Sequence, residues 1–140
     1  MVNKTLGNSF ESDFCEILFQ NGFWVHNMAQ NASGQPADVI AVQNGRAYLI
    51  DCKVCSNGKF PFSRMEENQD LSMKLWEECG NNEGWFALLL DEEIFMIPHS
   101  IITEFKQTQA GFNREEIRSV GMLLDVWICC FPPLRIGEHK

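Results

Sequence analysis

The spacing of apolar side chains divides the first half of the chain into one helix and three strands. In residues 8–21 the apolar positions recur every three or four residues, which predicts an amphipathic helix. Short apolar runs at residues 23–28, 39–42 and 47–54 predict strands. Because an Asn-Gly pair at 44–45 separates the last two runs, we expect those strands to form a hairpin.

The second half continues with alternating helical and strand patterns. The predicted elements are a helix at 65–79, strands at 85–90 and 94–97, and short helices at 100–106 and after Asn113. A final apolar run at 126–131 fits either a strand or a helix. This order of elements indicates an α/β fold in which helices flank a mixed β-sheet. The length of 140 residues favours a single domain that spans residues 1–140.

Several polar side chains occupy positions that the apolar pattern assigns to buried surfaces. Residues two apart in a strand face the same way, so Asp51 and Lys53 share one face of the second hairpin strand. Asp38 opens the first hairpin strand, and strand pairing would bring its carboxylate near Asp51. Glu11 lies on the buried edge of the first helix, and Gln69 interrupts the apolar stripe of the second. Burying such groups costs free energy unless a partner compensates them.

These residue types suit the hydrolysis of a phosphodiester bond with the help of a metal ion. Carboxylates placed close together repel each other, and a hard divalent cation such as Mg²⁺ (or Mn²⁺) would relieve the repulsion. Asp38, Asp51 and Glu11 could supply its oxygen ligands. Lys53 could position or deprotonate a metal-bound water, or stabilise the charge that develops on the phosphoryl group. Gln69 could hold a water or a phosphate.

Each of these residues also has an ordinary structural interpretation. An Asp-Lys pair on a solvated strand face is common and contributes little. Glu11 could pair with a lysine, and Gln69 could be a satisfied amide at the edge of the domain. The joint placement of all these polar residues on strand ends and apolar helix faces favours the functional interpretation.

The distribution of charge weighs only weakly on the choice of partner. The formal net charge is −8, and the whole excess of negative charge lies in residues 65–140, whereas residues 1–64 are neutral. A bound cation would make the first half locally positive, which suits a nucleic acid, but the weak electrostatic footprint of the chain counts against such a partner.

The apolar runs and the cysteines indicate a soluble, cytoplasmic protein without a zinc site. No apolar run reaches the length of a membrane span, and the first residues lack a secretory signal pattern. We therefore expect the six cysteines to be reduced. Cys52 and Cys55 form a C-x2-C pair, but no second pair at a matching spacing accompanies them. They are better interpreted as small core residues.

The spacing of the acidic residues and the lysine resembles that of the PD-(D/E)xK nuclease superfamily. Its signature is an acidic residue that opens one strand and a D/E-x-K triplet on the next strand. Asp38 and the triplet Asp51-Cys52-Lys53 stand in these places, and Glu11 corresponds to a glutamate on the preceding helix.

A closer resemblance is to small Holliday junction resolvases of the archaeal and RecU-like types. In those proteins a serine-glycine loop leads into the acidic strand, as Ser33-Gly34 does here. The stretch KFPFSRMEENQ, which ends at Gln69, is similar to the segment after the lysine strand in the RecU-like branch. The resemblance covers about residues 7–97.

The resemblance implies a restriction-endonuclease-like fold and a metal-dependent DNA endonuclease, in particular a Holliday junction resolvase of phage or prophage type. The residues that it implies for the site are the metal ligands Glu11, Asp38 and Asp51, the catalytic lysine Lys53 and the substrate contact Ser33. Lys59 and Arg64, in the loop after the lysine strand, are further candidates for binding substrate. Resolvases of this kind act on branched DNA as homodimers, because two strands are cut symmetrically.

Two other functions remain open from the sequence. A restriction-type or repair nuclease of the same superfamily would use the same residues. A non-catalytic relative would bind a basic protein partner through its acidic second half, but it has no evident need for Lys53 beside two carboxylates.

Overall fold

We describe the protein from a computed structural model, for residues 6–28 and 37–130. The helices of this part are α1 (Leu6–Gln20), α2 (Glu67–Glu78), α3 (His99–Phe105), α4 (Arg114–Val120) and α5 (Leu124–Cys130). The strands are β1 (Trp24–Asn27), β2 (Val39–Gln43), β3 (Arg46–Val54), β4 (Phe60–Pro61), β5 (Trp85–Leu90), β6 (Glu93–Pro98), β7 (Gly111–Phe112) and β8 (Met122–Leu123). Two short 3₁₀ turns, at Ser56–Gly58 and Phe62–Arg64, flank β4.

Six of these strands form one mixed sheet in the order β1-β2-β3-β5-β6-β8. Only the pairing of β3 with β5 is parallel, and the other neighbours in this sheet are antiparallel. A parallel pair requires a crossover connection, and here it contains β4 and α2. The small strands β4 and β7 pair separately as a two-stranded sheet. The predicted α/β fold with a mixed sheet is therefore confirmed.

The two faces of the sheet bury different apolar clusters. The first cluster joins α1 and α5 to the sheet through Phe10, Phe14 and Trp127. The second cluster includes Met73 of α2 and Ile102 of α3. Because successive residues of β3 face opposite sides, Ile50 and Cys52 enter the first cluster and Leu49 enters the second. Asp51, between Ile50 and Cys52, therefore projects on the face that carries the second cluster.

The hairpin of β2 and β3 forms as the Asn-Gly pair predicts. Asn44 and Gly45 both have positive φ angles, 52° and 78°, as a two-residue turn of type I′ requires. Gln43 pairs with Arg46 across this turn, and the register continues to Val39 opposite Ile50. The turn thus determines which residue of β3 lies next to the start of β2.

Most predicted elements lie where the apolar pattern places them. The run at 126–131, left open between strand and helix, is helical as far as Cys130 within the described residues. The two-residue strands β4, β7 and β8 were not predicted. In the part of the chain that the structure describes, no helix combines the length and apolar character that spanning a membrane requires. The six cysteines are free thiols, as expected.

Candidate active site

The hairpin brings Asp38 and Asp51 together at one end of β2 and β3. The amide N–H of Asp38 donates to the carbonyl oxygen of Ile50 at 3.2 Å, which extends the pairing by one residue. Asp38 Oδ2 then accepts a hydrogen bond of 2.9 Å from the amide N–H of Cys52. The carboxylate of Asp38 is therefore held against the backbone that carries the Asp51 side chain, as the sequence predicts.

Asp51 is completely buried, and its two carboxylate oxygens have different neighbours. Oδ1 accepts a hydrogen bond of 2.9 Å from the side-chain amide of Gln69. Oδ2 lies 3.1 Å from the ammonium nitrogen of Lys53. Apart from this ion pair, Oδ2 has no hydrogen-bond partner among the described residues. The predicted Asp51-Lys53 pair on one strand face is thus present in the fold.

Glu11 reaches the same region from α1. Its side chain is half-buried, and its Oε1 atom is buried without a hydrogen-bond partner in the described part of the chain. Burial raises the pKa of Glu11 to about 7, and the negative charge of Asp38 acts in the same direction, against the opposing charge of Lys53. A carboxyl group in this environment is poorly compensated when it is ionised.

The pKa of Asp51 is also raised to about 7. Burial is the largest cause, the charge of Asp38 adds to it, and the charge of Lys53 opposes it. The site therefore concentrates more carboxylate charge than its own cation and hydrogen bonds balance. A bound divalent cation would lower these pKa values, because its charge favours the ionised form of every neighbouring carboxylate.

The donor chemistry of these residues fits a hard divalent cation, although the side chains do not surround one point. Glu11, Asp38 and Asp51 offer carboxylate oxygens, and one buried oxygen of Glu11 has no hydrogen-bond partner among the residues that the structure describes. Within residues 6–28 and 37–130, however, no three His, Cys, Asp or Glu side chains are grouped so that they could hold a metal ion. The three predicted ligands interact electrostatically but are not gathered as a coordination shell.

Gln69 is placed by α2 and makes two contacts within the protein. Its Oε1 accepts a hydrogen bond of 3.1 Å from the amide N–H of Glu66, as part of a capping box at the start of α2. Its Nε2 donates to Asp51, as described above. Gln69 therefore connects the first turn of α2 to the buried carboxylate. Its contact with a water or a phosphate stays a prediction.

The predicted substrate-binding residues lie in three different situations. Arg64 donates a hydrogen bond of 2.6 Å to the carbonyl oxygen of Val54, at the end of β3. Lys59 is exposed and lines a shallow surface cavity beside β4 and β7. Ser33 lies outside the described residues.

The hydrogen bond from the backbone N–H of Cys52 to Asp38 was not predicted. Every residue except proline has a backbone N–H, so the sequence does not indicate which one donates to a side chain.

The fold and this cluster define a class of protein: a nuclease with a restriction-endonuclease-like mixed sheet and an acid-acid-lysine set at the start of β2 and on β3, inside that sheet. The chain belongs to the family described as archaeal Holliday junction resolvase (Hjc), whose family model matches residues 2–116. It is accordingly a Holliday junction resolvase, an endonuclease that acts on branched DNA. The predictions of superfamily, fold and function are confirmed.

A solved structure supports the same fold. The Holliday junction resolvase Hjc of Archaeoglobus fulgidus, an archaeal hyperthermophile, is similar to this chain with a TM-score of 0.65 and 17% sequence identity. The likeness covers 86% of this chain and 98% of that chain. A search of curated proteins found no match.

Proposed function

We propose that the protein cuts branched DNA in a reaction that depends on Mg²⁺, with Mn²⁺ as a substitute. Glu11, Asp38 and Asp51 would hold the ion, and Lys53 would act as the catalytic lysine. The observation that carries the proposal is the contact of a fully buried Asp51 with Lys53 at 3.1 Å. When bound, the divalent cation would supply the positive charge that polarises a phosphoryl oxygen and its attacking water.

Lys53 is suited to stabilise negative charge on the scissile phosphate. Its ammonium group is mostly buried, and Asp51 fixes it on one side through the 3.1 Å contact. An ammonium group has three hydrogens and can therefore donate hydrogen bonds to Asp51 and to a phosphate oxygen at the same time. Hydrogen-bond donors placed in advance where charge develops are among the largest contributions to catalysis.

Gln69 is suited to orient Asp51, and the backbone of Cys52 is suited to orient Asp38. The backbone N–H of Cys52 fixes Asp38, and the amide of Gln69 fixes Oδ1 of Asp51. The Oδ2 atom of Asp51 is then directed towards Lys53. Fixing the rotamers of the acidic residues in this way reduces the reorganisation that binding a cation requires.

We further propose that Lys59, Arg64 and Ser33 contact the DNA backbone. Lys59 is exposed, and the hydrogen bond to Val54 holds Arg64 at the end of the strand that carries Lys53. Contacts with phosphates depend on salt, so Lys59→Ala should weaken junction binding and reduce the slope of its salt dependence by about one. An unchanged slope would exclude Lys59 as a phosphate contact.

Finally, we propose that one domain spanning residues 1–140 works as a homodimer in the cytoplasm. The two apolar clusters both use β3 and β5, so the elements that pack on the two faces of the six-stranded sheet share that sheet. A junction presents two equivalent strands to be cut, and an isologous dimer presents two equivalent sites.

The experiment that tests the proposal compares a four-way junction, a flap and a linear duplex with Mg²⁺, with Mn²⁺ and with chelator. We expect cutting of the junction that requires the metal. Glu11→Gln should abolish most of this activity, whereas Glu16→Gln, a matched change on the exposed side of α1, should not affect it. Cutting that persists in chelator, or a fully active Glu11→Gln variant, would contradict the metal site.

A further inference from the structure

A buried histidine lies on the same side of the sheet as Asp51, outside the acid-acid-lysine set. The His99 residue is only 5% exposed, and its Nε2 atom lies 2.6 Å from Oδ1 of Asp70. An ionised carboxylate only accepts hydrogen bonds, so Nε2 carries the hydrogen and donates it. Burial alone would raise the pKa of Asp70, but hydrogen bonds from His99 and Lys74 lower it overall.

Asp70 directly follows Gln69 in the first turn of α2. These two neighbouring side chains contact different elements: Gln69 bonds to Asp51 on β3, and Asp70 bonds to His99 at the start of α3. The amide N–H of Asp70 also donates to the carbonyl oxygen of Glu66, which closes the first turn. A shift of this turn away from His99 would therefore also move Gln69 relative to Asp51.

Phe86 of β5 lies next to both Asp51 and His99. It lies directly opposite Asp51 in the register of β3 and β5. The ring of His99 stacks on the ring of Phe86, with centroids 6.5 Å apart and an angle of 26° between the planes. The backbone N–H of His99 donates to the carbonyl oxygen of Gly84, two residues before Phe86. The position of the His99 ring is thus determined by the strand next to Asp51.

From this geometry we propose that Asp70 and His99 are positioning residues for the reaction: they hold the first turn of α2 so that Gln69 keeps Asp51 oriented. A buried histidine with a purely structural role needs only some hydrogen-bond acceptor. The acceptor of His99 is Asp70, which directly follows the residue that bonds Asp51. The inference rests on the proposed metal-dependent site, because it assigns Asp70 and His99 an effect through Asp51.

The test uses the full chain, with single-turnover cleavage of a four-way junction and calorimetric titration of Mn²⁺ as independent measurements. Asp70→Ala and His99→Ala should each lower the cleavage rate and the affinity for Mn²⁺ by about 10- to 100-fold, the usual effect of removing a group that orients a ligand. Junction binding in chelator should stay unchanged. Asp70→Asn and His99→Gln, which can keep a hydrogen bond between α2 and α3, should restore most of the rate.

Two comparisons separate a positioning role from a structural one. Asp70 also pairs with Lys74, whose ammonium nitrogen lies 3.2 Å from Oδ2 of Asp70 on the exposed side. Lys74→Ala removes this pair and should leave the cleavage rate unchanged. In a Gln69→Ala background, Asp70→Ala should lower the rate no further, because its effect passes through Gln69. An equal loss of rate in both backgrounds, or a loss of thermal stability with unchanged rate and Mn²⁺ affinity, would overturn the inference.

The failure of this inference can be distinguished from the failure of the proposed site. If Asp51→Asn is inactive while Asp70→Ala and His99→Ala behave as the wild type, only the positioning role is wrong. If Asp51→Asn cuts normally, the site itself is wrong, and the positioning role is overturned with it.

Discussion

At the scale of single residues, Asp51 connects the elements of the site. One of its oxygens contacts Gln69 and the other contacts Lys53. The alternation of β3 was sufficient to predict that Asp51 and Lys53 face the same way. It could not predict the bonds of Gln69 or of Asp70, because these depend on how α2 lies across the sheet. Polar residues in the first turn of a helix are also common for local reasons.

The raised pKa values of Glu11 and Asp51 predict how stability depends on pH in the absence of metal. Both pKa values rise to about 7, from ordinary values of 4.5 for a glutamate and 3.8 for an aspartate. The folded state therefore holds protons that the unfolded state has lost between about pH 4 and pH 7. We expect the free energy of unfolding to fall as pH rises through this range.

Thermal unfolding in chelator at pH 5.5 and at pH 8 measures this effect. The melting temperature should be lower at pH 8, and Asp51→Asn should reduce the difference between the two values. Mn²⁺ should raise the melting temperature more at pH 8, where the carboxyl groups ionise readily. A wild-type protein that becomes more stable from pH 5.5 to pH 8 in chelator would contradict the assigned environments.

At the scale of elements, the turn at Gly45 determines the register that brings Asp38 to Asp51. Gly45 has φ +78°, and a Cβ atom there would meet no other atom within 4 Å. Gly45→Ala should therefore lower the free energy of unfolding through backbone strain alone, by about 1–2 kcal/mol. It should also slow junction cleavage, because strain in this turn disturbs the hairpin that carries both carboxylates.

Gly80→Ala is the matched control, since Gly80 has φ +106° and equally open surroundings but lies after α2. It should lower stability by a similar amount and leave cleavage unchanged when both variants are assayed well below their melting temperatures. Denaturant unfolding measures the stability. Equal rates for the two variants would show that the turn does not control the site.

The longer elements were predictable because each has a clear apolar period and a residue that starts or ends it. The two-residue strands β4 and β7 have no period of their own and exist because Phe60 pairs with Phe112. The run after residue 125 was ambiguous for a similar reason. It is helical where Trp127 packs against the rings of Phe23, Tyr48 and Trp85, a cluster that forms only in the folded protein.

At the scale of the whole molecule, the proposed homodimer requires an apolar surface, and α2 offers one. Leu71 and Leu75 lie one helical turn apart and are 55% and 60% exposed. The same helix carries Gln69 on its buried side, so pairing through α2 would hold two active sites at a fixed separation. We therefore expect the proposed homodimer to bury this face.

Light scattering of the purified protein tests the interface. The wild type should have twice the chain mass of 16.1 kDa, and Leu75→Asp should shift it to the monomer mass. Leu123→Asp, at a leucine of β8 that is 39% exposed, should remain dimeric. A monomeric wild type at micromolar concentration would contradict the proposed dimer.

The most direct test of the whole account is single-turnover cleavage of a four-way junction by the wild type and by Asp51→Asn with Mg²⁺. The change keeps the shape of a fully buried side chain and removes its charge. We expect the variant to bind the junction at least as tightly as the wild type in chelator, and to cut it no faster than the wild type does in chelator. Cleavage by Asp51→Asn at the wild-type rate would contradict the proposal that this carboxylate holds the ion.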